Sequence, residues 1–224
     1  MSDKFAIFRM AKLKQGRGAG SFIKAWRHLE KHTESAEISR PDLTEYNKYS
    51  VNPKVAKKGI SRQIRDTIAQ HNKVSTKKLR SDASIGAELL FSYSQDKGEP
   101  FNLEYIEQFE KQVKEFIKNE FPDFKPVAFA RHCDESSVHW HVLGFCVDKE
   151  QKISVAKSLG GPQECVKHQD VFAQCVSFLG LKRGISKKVT GKKHTTKAQK
   201  QRQESLEELG DSVLGKAESE DFDR

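Results

Sequence analysis

Apolar residues recur every three to four positions in some stretches and at alternate positions in others, and these two periods predict different elements. Phe5 to Met10 reads as a short strand and Gln15 to Gly20 as a Gly-rich loop. Ser21 to His32 follows as a helix, with Ser21 as N-cap and Phe22, Trp26 and Leu29 on one face. Residues 33 to 59 are polar and irregular, with Pro41, Pro53 and Gly59 as breakers. Ser61 to His71 predicts a helix through Ile64 and Ile68, with Arg62 and Arg65 beside them. Gly86 to Ser94 predicts a strand with Ala87, Leu89, Phe91 and Tyr93 on one face. The clearest helix is Asn102 to Glu120, where Leu103, Ile106, Phe109, Val113, Phe116 and Ile117 form one stripe and Pro122 follows as a stop. Val127 to His132 and Val138 to Asp148 read as two strands joined by the short connection Cys133 to Ser137, an antiparallel hairpin. Ile153 to Ala156 reads as a further short strand, and Pro162 to Leu179 as a helix with Gly180 at its C-cap. The mixed order predicts an α+β fold, an antiparallel β-sheet with flanking helices.

Charge adds the first functional clue. The chain has 224 residues, 40 Lys or Arg against 31 Asp or Glu, and a net charge of +9. Residues 201–224 hold three basic and eight acidic residues, so residues 1–200 carry +14. From Arg183 to Lys200 there are seven Lys or Arg and no acid. A body this basic suits a polyanion, most simply nucleic acid. The expected organisation is a core over 1–182, a basic DNA-contacting extension over 183–200, and an acidic, partly disordered tail over 201–224. No apolar run approaches the roughly 20 residues that span a bilayer, and Met1-Ser2-Asp3-Lys4 opens no signal peptide. A cytoplasmic location is expected. Cys133, Cys146, Cys165 and Cys175 match no disulfide or zinc-ribbon spacing and are expected as free thiols. The Gly-rich loop lacks the Gly-Lys-Ser/Thr ending of a P-loop.

The candidate chemistry lies in His132-Cys-Asp134-Glu135-Ser-Ser-Val-His139-Trp-His141. Three of the eight histidines fall within these ten residues. Strand alternation puts His139 and His141 on one face, and the hairpin brings His132 alongside. Three imidazoles then converge as metal ligands with coordination positions left open, the mark of a catalytic site. On a basic protein such a site suits phosphodiester chemistry, with the ion polarising a non-bridging oxygen of the phosphate.

This run resembles the HxDExxxHxH signature of HUH endonucleases, and in particular that of the MobV (Pre/Mob) relaxases. The likeness continues through Phe8 to Lys14, the Gly-rich loop, Phe22, Arg27, Glu30 and His32. It also takes in Asn72 to Ser75 with Arg80 and Asp82, Ser154 to Lys157, Gly180 to Gly184, and Lys193-His194. It is collinear over roughly residues 4 to 200. The resemblance implies an antiparallel sheet that carries the metal, Mn²⁺ or Mg²⁺. It implies site-specific nicking and rejoining of one strand at an origin of transfer. The product would be a covalent link to the 5′ phosphate and a free 3′ hydroxyl, and a part in DNA recombination is implied too. Origin DNA, as duplex and as exposed single strand, is the implied partner, alongside other mobilization or conjugation proteins.

The family's usual nucleophile, a histidine three residues before the position of Arg27, is Lys24 here. A lysine amine attacks phosphorus only when desolvated or set beside other cations, so Lys24 reads first as a phosphate contact. Tyr46, Tyr49, His28 and His32 stand as other candidates, with Tyr46 matched to the family tyrosine in Leu43-Thr44-Glu45-Tyr46. Glu135 is expected as general base or as orienter of a metal histidine, with Asp134 second, and Arg27 as a phosphate clamp. Lys77 and Arg80 match basic positions of the family. Arg183, Lys187, Lys188, Lys192 and Lys193 are expected to hold DNA backbone. Two other readings stand beside the relaxase. One is an origin-binding protein of the same fold that has lost nicking. The other is a rolling-circle replication initiator, which usually places its tyrosine after the histidine pair, whereas the last tyrosine here is Tyr105.

Overall fold

A computed structural model of the chain describes residues 3–16, 18–32, 38–96 and 99–185. Lys187, Lys188, Lys192, Lys193 and the acidic segment lie outside the described residues. The elements run β1 (Lys4–Lys14), α1 (Phe22–Glu30), β2 (Lys48–Val51), α2 (Pro53–Lys58), α3 (Ile60–Val74), β3 (Ser84–Tyr93), α4 (Leu103–Glu120), β4 (Phe124–His132), β5 (His139–Cys146), α5 (Val155–Leu159), α6 (Pro162–Cys175) and β6 (Leu181–Arg183). They form one six-stranded sheet in the order β2-β4-β5-β3-β1-β6. Every pairing is antiparallel except the parallel pairing of β1 with β6.

Strand alternation divides the core between the two faces of the sheet. Phe8, Leu89, Phe91, Trp140 and Val142 point to the face that α4 and α6 cover, where they meet Phe109, Phe116 and Phe172. Leu13, Ile85, Ala130, Leu143 and Phe145 point to the other face. There they pack against Phe22, Trp26 and Leu29 of α1, Val55 of α2 and Ile60 and Ile64 of α3. Gly86 sets how closely α1 lies on that face. A Cβ there would stand 2.1 Å from the Gly144 carbonyl oxygen and 2.9 Å from the ring of Phe22. Phe22 accordingly stacks on Phe145 at 4.6 Å.

Pattern and structure part company where the local signal is weak. In the stretch expected to be irregular, Pro41 opens a 3-10 turn (Pro41–Tyr46) and Pro53 opens α2. Both prolines therefore sit in a first helical turn, where their missing N–H costs nothing. Between them β2 is an edge strand with an exposed pattern and no apolar alternation to read. Ile153 makes only a single bridge to Val147, and the expected strand after it is the helix α5, capped by Ser154. Among the described residues no helix is long and apolar enough to cross a membrane.

Candidate metal centre

Trp140 decides where its two neighbours point. It is fully buried on the α4 face, stacked on Phe109 at 4.7 Å, so His139 and His141 must both face the α1 side. The hairpin register pairs His132 with His139 and Ala130 with His141. Arg131, between Ala130 and His132, turns to the opposite face with Trp140. There its guanidinium is buried, donating to Glu110 Oε2 at 3.1 Å and to the Tyr46 carbonyl at 2.8 Å.

The nitrogens of His132, His139 and His141 lie within 4.8 Å of one another. His139 Nδ1 donates to the Ser137 carbonyl at 2.8 Å and His141 Nδ1 donates to Glu88 Oε1 at 2.7 Å. A carbonyl and a carboxylate only accept, so both rings turn an unprotonated Nε2 inward. His139 Nε2 stands 3.2 Å from His132 Nδ1, and two nitrogens bound to one ion at about 2.1 Å stand roughly 3.0–3.4 Å apart. Burial, with the neighbouring rings of His32, His141 and His139, pushes the His132 imidazole down to about 2. Burial and His141 lower His139 as well. His132 and His139 are thereby held toward the neutral form, the form that binds metal. Burial alone would raise Glu88, but the hydrogen bond from His141 outweighs it and holds the carboxylate below its usual range.

A second layer is built on Asp134, whose side chain is fully buried. Its carboxylate accepts from His32 Nε2 at 2.9 Å, Thr44 Oγ1 at 3.1 Å and Asn47 Nδ2 at 2.7 Å. Asn47 Oδ1 in turn accepts from the Cys133 N–H at 2.7 Å. Burial opposes the Asp134 charge, yet the hydrogen bonds from His32, Asn47 and Thr44 win and lower its pKa. His32 stacks on His132 at 3.6 Å, and its Nδ1 is buried with no hydrogen-bond partner. Glu135 Oε1 faces that nitrogen at 3.6 Å and stands 3.7 Å from both His132 Nδ1 and His139 Nε2. His32, His132 and Glu135 thus make a second set of three groups at ligand spacing. Three or four imidazoles and one carboxylate fit a divalent transition ion such as Mn²⁺ better than Mg²⁺, which prefers an all-oxygen shell.

Helix geometry sorts the candidates on α1. Lys24, His28 and His32 recur every four residues and share one flank, which meets the histidine cluster. The His28 ring stands 5.7 Å from His141 and 6.4 Å from His132, and burial with the His141 charge lowers its pKa. Lys24 is exposed one turn earlier. Arg27 falls on the other flank and lines a cleft of about 570 Å³ with Tyr49, Arg62 and Arg65, away from the cluster. Tyr49 lies edge-on to Trp26 at 6.4 Å. Its phenol is pushed up to about 12 by burial and by Glu30. Tyr46 is not at the site. Its ring packs on Phe101 at 4.6 Å, against the core on the opposite face of the sheet.

The basic candidates also divide. Lys77 and Arg80 are exposed on the segment after α3. Arg80 forms a surface ion pair with Asp82 at 3.0 Å, and its carbonyl accepts from Gln15 in the Gly-rich loop. Arg183 is not free for phosphate, because it binds Asp170 at 2.7 Å and Gln169 at 2.6 Å and ties β6 to α6. Sequence reasoning missed Glu88, Thr44 and Asn47. Glu88 had a signal, a lone charge in the apolar run Ile85 to Phe91, whereas Asn47 and Thr44 had none.

Comparisons with known proteins agree with this arrangement. A family model described as plasmid recombination enzyme (Mob_Pre) matches residues 2–202. The plasmid recombination enzyme type 1 of Staphylococcus aureus is 26% identical over 192 residues, covering 84% of this chain and 46% of that protein. A plasmid recombination enzyme of Streptococcus agalactiae is 25% identical over 218 residues, covering 97% and 43%. The chain thus spans a little under half the length of the curated relatives it matches. Among solved structures, the MobM relaxase domain bound to plasmid pMV158 oriT DNA, in an Mn-bound crystal at pH 5.5, shares the fold. Its TM-score is 0.69 at 24% identity, over 88% of this chain and 98% of that one. With the family model running through both the α1 flank and the histidine hairpin, the chain belongs to the plasmid recombination enzyme (Mob_Pre) family.

Proposed function

We propose that this chain is a plasmid mobilization relaxase, which nicks and rejoins one DNA strand at an origin of transfer through a covalent 5′-phosphate intermediate and takes part in DNA recombination. The observation that carries the reading is the ligand-spaced trio His132, His139 and His141, with two tautomers fixed from behind by Glu88 and the Ser137 carbonyl. Relatives described as plasmid recombination enzymes, and MobM domains crystallised with Mn and oriT DNA, support it.

The three histidines would hold Mn²⁺, or Mg²⁺ less well, and such an ion supplies positive charge to a non-bridging phosphate oxygen. The protein's own part is positioning and proton transfer. Asp134 fixes the tautomer of His32. Glu135, the carboxylate that opens onto the space between the rings, accepts the proton released on attack and returns it to the leaving 3′ oxygen. Lys24, exposed on the flank of His28, contacts a neighbouring phosphate. Arg27 clamps the strand from the adjoining cleft rather than at the scissile group. Lys77, Arg80 and the lysines at 187, 188, 192 and 193 hold duplex backbone, and the reaction takes place in the cytoplasm, where other mobilization or conjugation proteins would meet the nicked origin.

Lys24 in place of the family's usual histidine is the one observation that favours an origin-binding protein without nicking. Incubation with supercoiled DNA of the parent element, with Mn²⁺ and again with EDTA, separates the two. The relaxase reading expects Mn²⁺-dependent open circles and protein that stays on the DNA in detergent. Specific binding with neither would reject it.

A further inference from the structure

We propose that the cleft between α1, β2 and the start of α3 takes one unpaired base of the DNA strand, stacked on Tyr49, with the phosphates beside it on Arg27 and Arg65. The inference rests on the nicking reading above and says what the strand does next to the cut.

The cleft encloses about 570 Å³, within the range of about 300–1,000 Å³ found for small-molecule pockets. Its floor is apolar, built by the buried side chains of Trp26, Val55 and Ile60. Its rim carries four cations, Arg27, Lys58, Arg62 and Arg65, against one acid, Glu30. Asp66 pairs with two of them, Lys58 at 3.4 Å and Arg62 at 3.1 Å. Among the described residues no ion pair or hydrogen bond holds the side chain of Arg27 or Arg65, and both are exposed. Two unpaired guanidiniums above an apolar floor match a ligand with a flat uncharged body and anionic ends. A nucleotide within a strand has that form.

Tyr49 supplies the stacking surface. It is 43% exposed, and Trp26 buttresses its ring at 6.4 Å and 69°. An aromatic ring held in place stacks on a base whatever its identity. Inside a duplex the faces of that base are covered by its neighbours, so the cleft selects single-stranded DNA or a base turned out of the stack.

Sheet register ties the cleft to the histidines. Tyr49 lies opposite Ala130, and Ala130 lies opposite His141, so the three share one row on one face. Two strand spacings, about 10 Å, separate the backbones of Tyr49 and His141. Helix α1 packs over Ala130 between them, with Lys24 and His28 on its cluster side and Arg27 on its cleft side. A base in the cleft therefore belongs to one of the first few nucleotides beside the phosphate at the histidines. Seating it sets which phosphodiester lies there.

The test is a binding scan with single-stranded origin oligonucleotides of the parent element, read by fluorescence anisotropy in EDTA. An abasic site is stepped through the strand one nucleotide at a time. Wild type is compared with Tyr49→Ala, Tyr49→Trp and Arg65→Ala, each checked for folding by thermal unfolding. Tyr49→Ala should bind the intact strand about 5–150-fold more weakly, and Tyr49→Trp should bind as wild type does. At one position near the cut the abasic site should cost wild type a similar factor and cost Tyr49→Ala nothing further, the signature of two coupled groups. Arg65→Ala should make the slope of log K against log salt shallower by about 0.7 on the single strand. Abasic losses that simply add to the Tyr49→Ala loss at every position would overturn the inference. So would an equal loss by Tyr49→Ala on origin duplex, which would make Tyr49 a contact to backbone alone. Either result leaves the nicking reading standing. A coupled position in a protein that gives neither nick nor adduct with Mn²⁺ would keep the base site and reject nicking instead.

Discussion

His32 Nε2 lies 2.9 Å from Asp134 Oδ1, beneath a histidine cluster that Asp134 itself does not touch. The carboxylate acts from behind, holding His32 in the tautomer whose Nδ1 faces Glu135. Glu88 does the same for His141 from the neighbouring strand. Two carboxylates that are not ligands therefore set the donor atoms of the centre.

Removing either of these charges should weaken metal binding without removing a ligand. Outer partners of this kind are worth about 10–100-fold in metal affinity. Glu88→Gln and Asp134→Asn should each lower Mn²⁺ affinity by about that factor in calorimetry, against near-complete loss for His139→Ala. Unchanged affinity in both would show that the two carboxylates serve only packing.

Donor chemistry sets the preferred ion. Nitrogen donors dominate the site, so Mn²⁺ should bind more tightly than Mg²⁺. At a hundred times its Kd a bound ion stabilises the folded state by about 2.7 kcal/mol. Thermal unfolding should accordingly shift upward with Mn²⁺ and return on adding EDTA. An equal shift with Mg²⁺ would point to an oxygen-dominated site elsewhere.

Beneath the hairpin, Glu110 neutralises the buried Arg131. Glu110→Ala should destabilise the protein by about 3–5 kcal/mol, because it strands a buried charge. Burial by itself would raise the Glu110 carboxyl, but Lys114, Trp140 and Arg131 together lower it. A lowered carboxyl contributes stability in full above its unfolded pKa, about 4.3, and loses it as pH falls through the folded value. Urea unfolding of wild type should therefore weaken below about pH 4 more steeply than that of Glu110→Gln. Parallel curves would contradict the assignment.

Backbone docking should follow counterion release. Removing a cation that neutralises one phosphate should make the slope of log K against log salt shallower by about 0.9. Lys77→Ala and Arg80→Ala are each expected to show this in binding titrations over a range of salt. Arg183→Ala should leave the slope alone and lower stability instead, since its guanidinium binds Asp170 and Gln169. Deleting residues 201–224 should leave nicking unchanged.

Much of the fold and of the site is legible in the sequence because the relevant signals are local. The α4 stripe has a helical period, and His139-Trp140-His141 alternates around a tryptophan large enough to fix the face. Helix spacing of four also links Lys24, His28 and His32. What the sequence conceals depends on long-range placement. Tyr46 is eligible by its position in the chain, yet Phe101, 55 residues later, holds its ring on the other face. Arg27, next to His28 in the chain, is turned about 100° from it around α1 and lines the adjoining cleft instead. Asn47 and Thr44 reach Asp134 across more than 80 residues, and no pattern in a short window announces such a pairing.

Metal-dependent transfer of a strand to the protein would leave a signature in the polarity of the nicked ends. Origin DNA nicked with Mn²⁺ and stripped with detergent should have a 3′ end that a polymerase extends and a 5′ end blocked by protein. His139→Ala should produce neither end. A nick with both ends free, or protein left on the 3′ side, would contradict the account.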